Sequence, residues 1–248
     1  MRAQINIKNK RYTVDLSKPL DISISLRDSP KNPTAWYLPG PCIQPVKQGD
    51  WVGKVSKGAP VNFNNISFNP HAHGTHTECV GHISEAFHSV NQCLKTYFFL
   101  AEVVTVTPKT RGADLVIPPG QLGPLLEKPP PGAVVLRTLP NAPSKKSKKH
   151  AHTNWPYVAE DTMVLLRDLG VKHLLIDQPS VDKEKDNGKL LAHRAFWDYP
   201  KNPRLGATIT EFIYVPNPIK DGTYLLNLQM APFTNDAAPS RPVLYRLL

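Results

Sequence analysis

The sequence predicts a mixed α/β protein with more strand than helix, and three observations carry that prediction. Residues 97–106 and 133–138 are β-branched and apolar runs bounded by Pro and Gly, which is typical of buried strands. Residues 156–169 have apolar side chains at near-helical spacing, with Pro at the start and Gly170 after the end, and they predict a helix. The apolar run 171–177 follows directly, so this succession of strand, loop, helix and strand favours parallel pairing.

The other elements are predicted to be short. Residues 5–16 alternate apolar and polar side chains around the turn-prone Asn9-Lys10, which predicts a β-hairpin. Residues 28–70 contain seven prolines, too many for any long helix. Asn187 is predicted to cap a short helix that runs through Ala195, and residues 223–230 and 243–248 read as two further strands. Without an internal repeat, residues 1–248 are expected to form a single domain.

The composition favours a globular protein with a basic surface segment. Hydrophobic residues make up 40% and charged residues 20%, which suffices for a sizeable core. The net charge of +10 would permit a nucleic-acid partner, but four of the lysines lie in one short run. They are Lys145, Lys146, Lys148 and Lys149. We therefore expect an exposed basic loop at about residues 140–155 without a role in chemistry, and no nucleic-acid partner, since no RNA-binding or zinc-finger pattern accompanies these lysines.

The cysteines and the hydropathy pattern indicate the cellular compartment in which the protein is expected. Cys42, Cys79 and Cys93 are odd in number and form no CxxC pair, so neither a disulfide framework nor a cysteine zinc site is predicted. No apolar stretch approaches the roughly 20 residues that span a bilayer, and residues 1–16 lack a signal-peptide core. The expectation is a cytoplasmic protein without a membrane partner.

A histidine-rich segment predicts a metal site. Residues 69–82 hold four of the nine histidines together with one carboxylate. They are His71, His73, His76, Glu78 and His82. Imidazole and carboxylate are the ligand types preferred by Zn²⁺, Mn²⁺ and Fe²⁺, and a catalytic site needs about three protein ligands and an open position for water.

The local pattern assigns different positions to these side chains. On an extended segment His76 and Glu78 share one face and Cys79 points away, so the first two could hold one ion. Gly74 could let the backbone turn sharply and bring His71 to the same ion. His73 either faces solvent or replaces His71 as a ligand, and the spacing leaves both alternatives open.

The segment Gly-Thr-His-Thr-Glu-Cys-Val-Gly-His, residues 74–82, resembles the signature of the cyclase-like metal-dependent hydrolases, the family of bacterial kynurenine formamidase. The similarity extends to Asp-Leu-Ser at residues 15–17, Leu-Arg-Thr at 136–138 and the segment 176–182. It implies a single domain of the swivelling β/β/α type. Three positions depart from the family pattern and suggest a divergent subgroup. They are Ala72, Glu78 and Val80.

The resemblance also implies a set of site residues. The metal ligands would be His71, His76 and Glu78, joined by His193 and Glu211 from the carboxy-terminal half, and would hold one or two Zn²⁺ or Mn²⁺ ions. His82 would be the catalytic histidine that moves the proton. Asp177 and Asp182 are candidates for orienting the ligand imidazoles. Trp36 and Tyr37 could line an aromatic pocket.

The implied activity is the metal-dependent hydrolysis of a small molecule. The substrate would be an amide (an arylformamide such as N-formylkynurenine, which would place the protein in tryptophan catabolism), an ester or a cyclic compound. The implied assembly is a homodimer or homotetramer. The rival hypothesis is a catalytically diverged metal-binding or scaffold protein of the same fold. The three departures favour that rival, whereas the retention of His82 argues against it.

Overall fold

Strands predominate in the computed structural model, which describes residues 1–7, 10–126 and 131–248. The strands are β1 (Arg2–Ile7), β2 (Lys10–Asp15), β3 (Leu20–Asp21), β4 (Cys42–Pro45), β5 (Lys47–Gln48), β6 (Trp51–Val52), β7 (Asn64–Ser67), β8 (His76–Glu78), β9 (Phe98–Val106), β10 (Lys109–Arg111), β11 (Asp114–Ile117), β12 (Ala133–Thr138), β13 (Tyr157–Val158), β14 (His173–Ile176), β15 (Thr208–Glu211), β16 (Gly222–Met230) and β17 (Ala237–Arg246). The α-helices are α1 (Pro70–His73), α2 (Val90–Cys93), α3 (Gly123–Leu126), α4 (Glu160–Asp168) and α5 (Leu191–Trp197).

The central sheet closes into a barrel. Its strands follow the order β16-β9-β12-β14-β15-β8-β17, and pairing between β16 and β17 joins the two ends, while β3 adds to β17. β9, β12, β14 and β15 run parallel to their neighbours in that series, and the remaining pairs of the barrel are antiparallel. The prediction of a strand-rich mixed α/β fold is confirmed.

The core occupies both faces of the barrel wall. Along β12, Ala133 and Val135 join an apolar cluster of strand and loop residues. Val134 and Leu136 join a second cluster, which includes α4 and α5. Side chains of a strand point alternately to the two faces, so β12 is buried inside the barrel and beneath the helices outside it. This double burial explains why the strand is an uninterrupted apolar run.

Two helix boundaries differ from the prediction. The helix expected at residues 156–169 begins only at Glu160, because Tyr157 and Val158 pair in parallel with β11. Asn187 is not a cap: it lies in the left-handed region with φ of 58°, and α5 begins at Leu191. In the first case the pairing with β11 overrode the local signal, and at the start of α5 it is Asp182 that accepts hydrogen bonds from the Ala192 and His193 amides.

The hairpin and the carboxy-terminal strands follow the sequence pattern. β1 and β2 pair antiparallel with Ile5 opposite Tyr12, as predicted, although Asn9 of the predicted turn lies outside the described residues. β16 agrees with the expected strand at 223–230. β17 begins at Ala237, six residues earlier than expected, and it includes Pro239 and Pro242.

The basic segment is tied down more firmly than expected. Most of residues 142–149 are exposed, but Pro143–Ser147 forms a 3-10 helix instead of a loose loop. Lys145 Nζ lies 2.7 Å from Asp177 Oδ2 and donates a 2.6 Å hydrogen bond to the Thr138 carbonyl. The expectation of an exposed loop is therefore corrected at Lys145, which is partly buried and paired. Among the described residues, no helix is both long and apolar enough to cross a membrane.

Candidate metal centre

Three short elements in succession deliver the histidine-rich segment to one place. His71 lies on α1, His76 and Glu78 on β8, and His82 in the 3-10 turn Val80–His82. Because β8 is extended, His76 and Glu78 share a face, while Thr77 on the other face hydrogen bonds to Thr210. The helical turn of α1 brings His71 round, and Gly74 is extended with φ of 161°, which corrects the expected sharp turn at that glycine.

The carboxy-terminal half closes the cluster. β15 pairs antiparallel with β8, and this register sets Glu211 opposite His76. His193 enters from α5. The structure thus brings together the predicted residues from both halves of the chain.

Glu78 is the shared partner of the imidazoles. Its Oε1 lies 3.0 Å from His193 Nε2, and its Oε2 lies 3.1 Å from His71 Nδ1. The same Oε2 is 3.9 Å from His82 Nε2 and 4.0 Å from His76 Nε2. A carboxylate between several imidazole nitrogens is a common arrangement of divalent-ion ligands.

Glu211 forms the second carboxylate of the cluster. Its Oε2 lies 3.4 Å from His76 Nε2, and its Oε1 lies 3.8 Å from His193 Nε2. Oε1 also accepts a 2.8 Å hydrogen bond from the Val181 amide, which fixes the side chain. The two glutamates therefore face His76 and His193 together.

Each of three imidazoles is oriented by an acceptor on its outer side. His193 Nδ1 lies 2.6 Å from Asp182 Oδ2, and His76 Nδ1 lies 3.0 Å from the Gly74 carbonyl. His71 Nε2 lies 2.9 Å from Asp236 Oδ2. In metal sites such outer acceptors hold the ring and its tautomer, so that the opposite nitrogen is presented to the ion.

The charges of the cluster stabilise one another. Burial acts to lower the pKa of His71, but hydrogen bonds to Asp236 and Glu78 outweigh burial and raise that pKa to about 10. Burial likewise opposes ionisation of Glu78, yet the neighbouring imidazoles hold its pKa well below the usual range. For Asp236, hydrogen bonds from His71 and His82 lower the pKa.

The residues fit a divalent ion. Within the described residues, His76 Nε2 is buried without a hydrogen-bond partner, which is costly unless another group satisfies it. Three overlapping triads of donors lie close enough to share an ion. They are His71 with His76 and Glu78, Glu78 with His82 and His193, and His71 with His82 and Asp236. Cys79 is no part of them, because its thiol contacts the His88 carbonyl at 3.3 Å.

Comparison with known proteins gives the family. The model of the family described as Cyclase matches residues 14–183, more than half of the chain. This chain belongs to the cyclase family.

Structures of similar fold cover nearly the whole cyclase chain. A predicted metal-dependent hydrolase from Bacillus stearothermophilus has 18% identity and a TM-score of 0.62, with 92% of this chain and 98% of that chain covered. An isatin hydrolase bound to the product analogue thioisatinate has 15% identity and a TM-score of 0.65, with 93% of each chain covered. Isatin hydrolase A from Ralstonia solanacearum has 15% identity and a TM-score of 0.62, covering 92% and 91%.

The geometry bears on one alternative that the sequence left open and corrects one prediction for this chain. His73 is excluded as an alternative to His71, since its Nδ1 accepts the Asn69 amide at 2.9 Å and its Nε2 faces the Pro39 carbonyl at 2.7 Å. Asp177 does not orient an imidazole but binds Thr138 and Lys145.

The early aromatic residues pack locally. Trp36 lies edge-on to Trp155 with ring centroids 4.9 Å apart. Tyr37 donates a 2.9 Å hydrogen bond to Glu184 and packs on His152. These contacts offer no support for the predicted aromatic pocket.

Asp236 is the site residue that sequence reasoning missed. Its Oδ2 contacts His71 and also lies 3.3 Å from His82 Nδ1. It follows Asn235 in a polar stretch between two predicted strands, where an aspartate usually indicates a turn. No local signal distinguished it from a turn residue.

Proposed function

We propose that this chain is a metal-dependent hydrolase of a small molecule. One or two divalent ions, Zn²⁺ or Mn²⁺, would be held by the predicted ligands. These are His71, His76, Glu78, His193 and Glu211. The observation that carries the proposal is the orientation of three imidazoles. His71, His76 and His193 are each fixed on the outer side and present the other nitrogen to the glutamates, and His76 Nε2 is buried there without a hydrogen-bond partner among the described residues.

The protein's own groups have separable tasks in this reaction. When bound, the ion supplies the Lewis acidity that activates a water and polarises the carbonyl under attack. His82 is the most exposed imidazole of the cluster, with 29% of its side chain accessible, so it can reach both solvent and substrate. Its Nε2 faces the Glu78 side and would move the proton from the attacking water to the leaving group.

Membership of the cyclase family supports a proposal for the substrate class. An amide, an ester or a cyclic compound has the carbonyl that this chemistry needs. An arylformamide such as N-formylkynurenine is the candidate implied by the resemblance, and activity on it would place the protein in tryptophan catabolism. Two of the similar structures are isatin hydrolases, so isatin belongs in the same panel.

The test combines metal content with turnover. Purified protein is analysed for metals and then assayed with N-formylkynurenine, isatin, simple aryl esters and a lactone, with and without chelator. Glu78→Gln, which keeps the size of the side chain, is the control against a contaminating hydrolase. We expect a bound transition metal and chelator-sensitive turnover that the control lacks.

Two results would overturn the proposal. Protein without metal affinity would exclude a metal-dependent enzyme. Metal-loaded protein inactive on every class would favour the diverged metal-binding or scaffold hypothesis instead.

We also propose a homodimer or homotetramer. The segment that includes β4 and β7 leaves Val55, Val61, Phe63 and Ile66 each more than half exposed, and apolar side chains of this kind support a contact between subunits. Light scattering of the purified protein measures the mass directly, and a monomer would contradict this proposal.

A further inference from the structure

The backbone of Asp236 is fixed beside β8. Its carbonyl accepts a 3.0 Å hydrogen bond from the Cys79 amide, and the next residue, Ala237, stands opposite Glu78 in the pairing of β17 with β8. On its other side, the Asn235 carbonyl accepts the Val90 amide at 2.9 Å. The carboxylate therefore projects from a backbone that is held on both sides.

One oxygen of Asp236 contacts two imidazoles. Oδ2 lies 2.9 Å from His71 Nε2 and 3.3 Å from His82 Nδ1. The two rings stack with centroids 4.2 Å apart and an interplanar angle of 27°. A single carboxylate thus sets the orientation of a proposed ligand and of the proposed proton carrier.

The contact determines which nitrogen of His71 can serve as a ligand. An ionised carboxylate only accepts hydrogen bonds, so the nitrogen that faces it carries a hydrogen. This leaves Nδ1 of His71, which lies 3.1 Å from Glu78 Oε2. His76 and His193 are held at Nδ1 instead and present Nε2.

We propose that Asp236 is a positioning residue that fixes His71 and His82 together, so that His71 binds the ion through Nδ1 whereas His76 and His193 bind through Nε2. This inference rests on the proposed function. It also accounts for one departure from the family pattern. Ala72 stands where the motif places its first histidine, and His71, one residue earlier on the turn of α1, reaches Glu78 with the ring nitrogen nearer to its backbone.

The test compares wild type with Asp236→Ala and Asp236→Asn. Asp236→Asn keeps the size of the side chain but removes its charge, which weakens the hydrogen bonds that Oδ2 accepts from both imidazoles. Asp198→Asn is the matched control, since Asp198 is also 25% accessible and pairs with Arg167 outside the cluster. Circular dichroism verifies the fold of each variant.

Zinc affinity and kinetics are the first readouts. Competition with a chelator should show zinc binding weakened about 10–100-fold in both Asp236 variants, the usual effect of removing an outer acceptor, and unchanged in the control. The kcat should fall with little change in KM, because Asp236 orients catalytic groups. Unaltered zinc affinity and kcat in Asp236→Ala would overturn the inference.

The ring nitrogens are the second readout, which a merely structural role would not change. Long-range ¹H–¹⁵N spectra of zinc-loaded, ¹⁵N-histidine-labelled protein distinguish the two coordination modes, and His71→Gln identifies the His71 signals. We expect His71 to bind through Nδ1 with a hydrogen on Nε2, and Asp236→Ala to lose this uniform pattern. Coordination of His71 through Nε2 in wild type would refute the inference with the proposed function intact. Failure of wild type to bind either zinc or manganese would refute both.

Discussion

At the scale of single residues, His76 and His82 differ in what surrounds them. His76 is fully buried, and its Nε2 lacks a hydrogen-bond partner among the described residues, as a ligand position requires. His82 is partly exposed, and its Nδ1 faces Asp236 Oδ2 at 3.3 Å, although its Nε2 is about as far from Glu78 Oε2 as that of His76. The two imidazoles are thus placed for different tasks.

Substitution should separate these tasks. We expect His76→Ala to lose metal and turnover together, whereas His82→Ala should keep its metal and lose about 10²–10⁴-fold in turnover, the usual contribution of an acid-base group. Metal content and rate are measured on the same samples. If His82→Ala loses its metal as completely as His76→Ala, then His82 is a ligand and another group must carry the proton.

The sequence could predict most of these residues but not their arrangement. The clustering of residues 71–82 indicated a metal site, because donor side chains rarely gather in a short segment for packing alone. The choice between His71 and His73 depends on the turn of α1 and on the carbonyl of Pro39, and the spacing of the histidines in the sequence reveals neither. Asp236 reaches the site only through the pairing of β17 with β8.

At the scale of elements, the 3-10 turn after β8 depends on close packing at Gly81. A Cβ at this position would lie only 2.1 Å from the His88 carbonyl oxygen and 3.3 Å from Asp236 Cβ. The glycine thus permits the backbone of this turn to approach the loop that carries Asp236. The structure thus gives a steric reason for glycine at this position.

Gly81→Ala should therefore disturb the site as well as the fold. The added methyl group must displace backbone, which typically costs about 1–3 kcal/mol in a packed region, and it pushes on His82 and Asp236. We expect a lower urea midpoint and reduced turnover. Gly120→Ala is the control, since a Cβ there meets nothing within 4 Å. Equal stability of the two variants would show that the turn adapts freely.

The 3-10 helix Pro143–Ser147 should likewise matter through one residue. Lys145→Met leaves the buried carboxylate of Asp177 without its cation, and breaking such a pair costs up to about 3 kcal/mol where other hydrogen bonds remain. Lys146→Met removes an exposed neighbour and should cost less than about 1 kcal/mol. Urea denaturation of both variants measures the difference. Similar losses of stability in the two variants would indicate that Lys145 is as freely solvated as Lys146.

The boundaries of the elements show where tertiary contacts override local sequence patterns. The strands β9, β12 and β14 were predictable because double burial demands apolar runs. The start of α4 was not, since Tyr157 and Val158 form a strand only because β11 lies beside them. The pairing of β16 with β17 closes the barrel, and the hydrophobic periodicity of the sequence does not reveal which strands pair.

At the scale of the whole molecule, acid should destabilise the protein through buried neutral histidines. Burial, with the charges of Lys172 and Arg204 adding to it, lowers the pKa of His173 to about 3. The unfolded chain binds a proton near pH ~6.5, whereas the folded protein does not. The contribution of His173 to the free energy of unfolding is therefore complete above that pH. It is lost as pH falls from ~6.5 towards about 3, by at most about 1.4 kcal/mol per pH unit.

His173→Gln removes this titration while keeping a donor for Thr208. Between pH 7 and pH 5, the free energy of unfolding of the variant should fall less steeply than that of wild type, because unfolding of the variant takes up about one proton fewer. Urea titrations of both proteins in buffer with chelator measure the slopes without a contribution from metal release. Parallel slopes would show that His173 is not a neutral buried group in the native state.

The separation of the site's parts along the chain bears on kinetics. The contacts of Glu78 with His193 and of His71 with Asp236 join residues 115 and 165 positions apart. Ordering such loops is entropically unfavourable, so these contacts are expected to form after the main barrier to folding. An ion held there would then stabilise the native state without stabilising the transition state. Zinc should slow the unfolding rate measured by urea jump and leave the refolding rate nearly unchanged, which makes the ion a determinant of how long the native protein lasts.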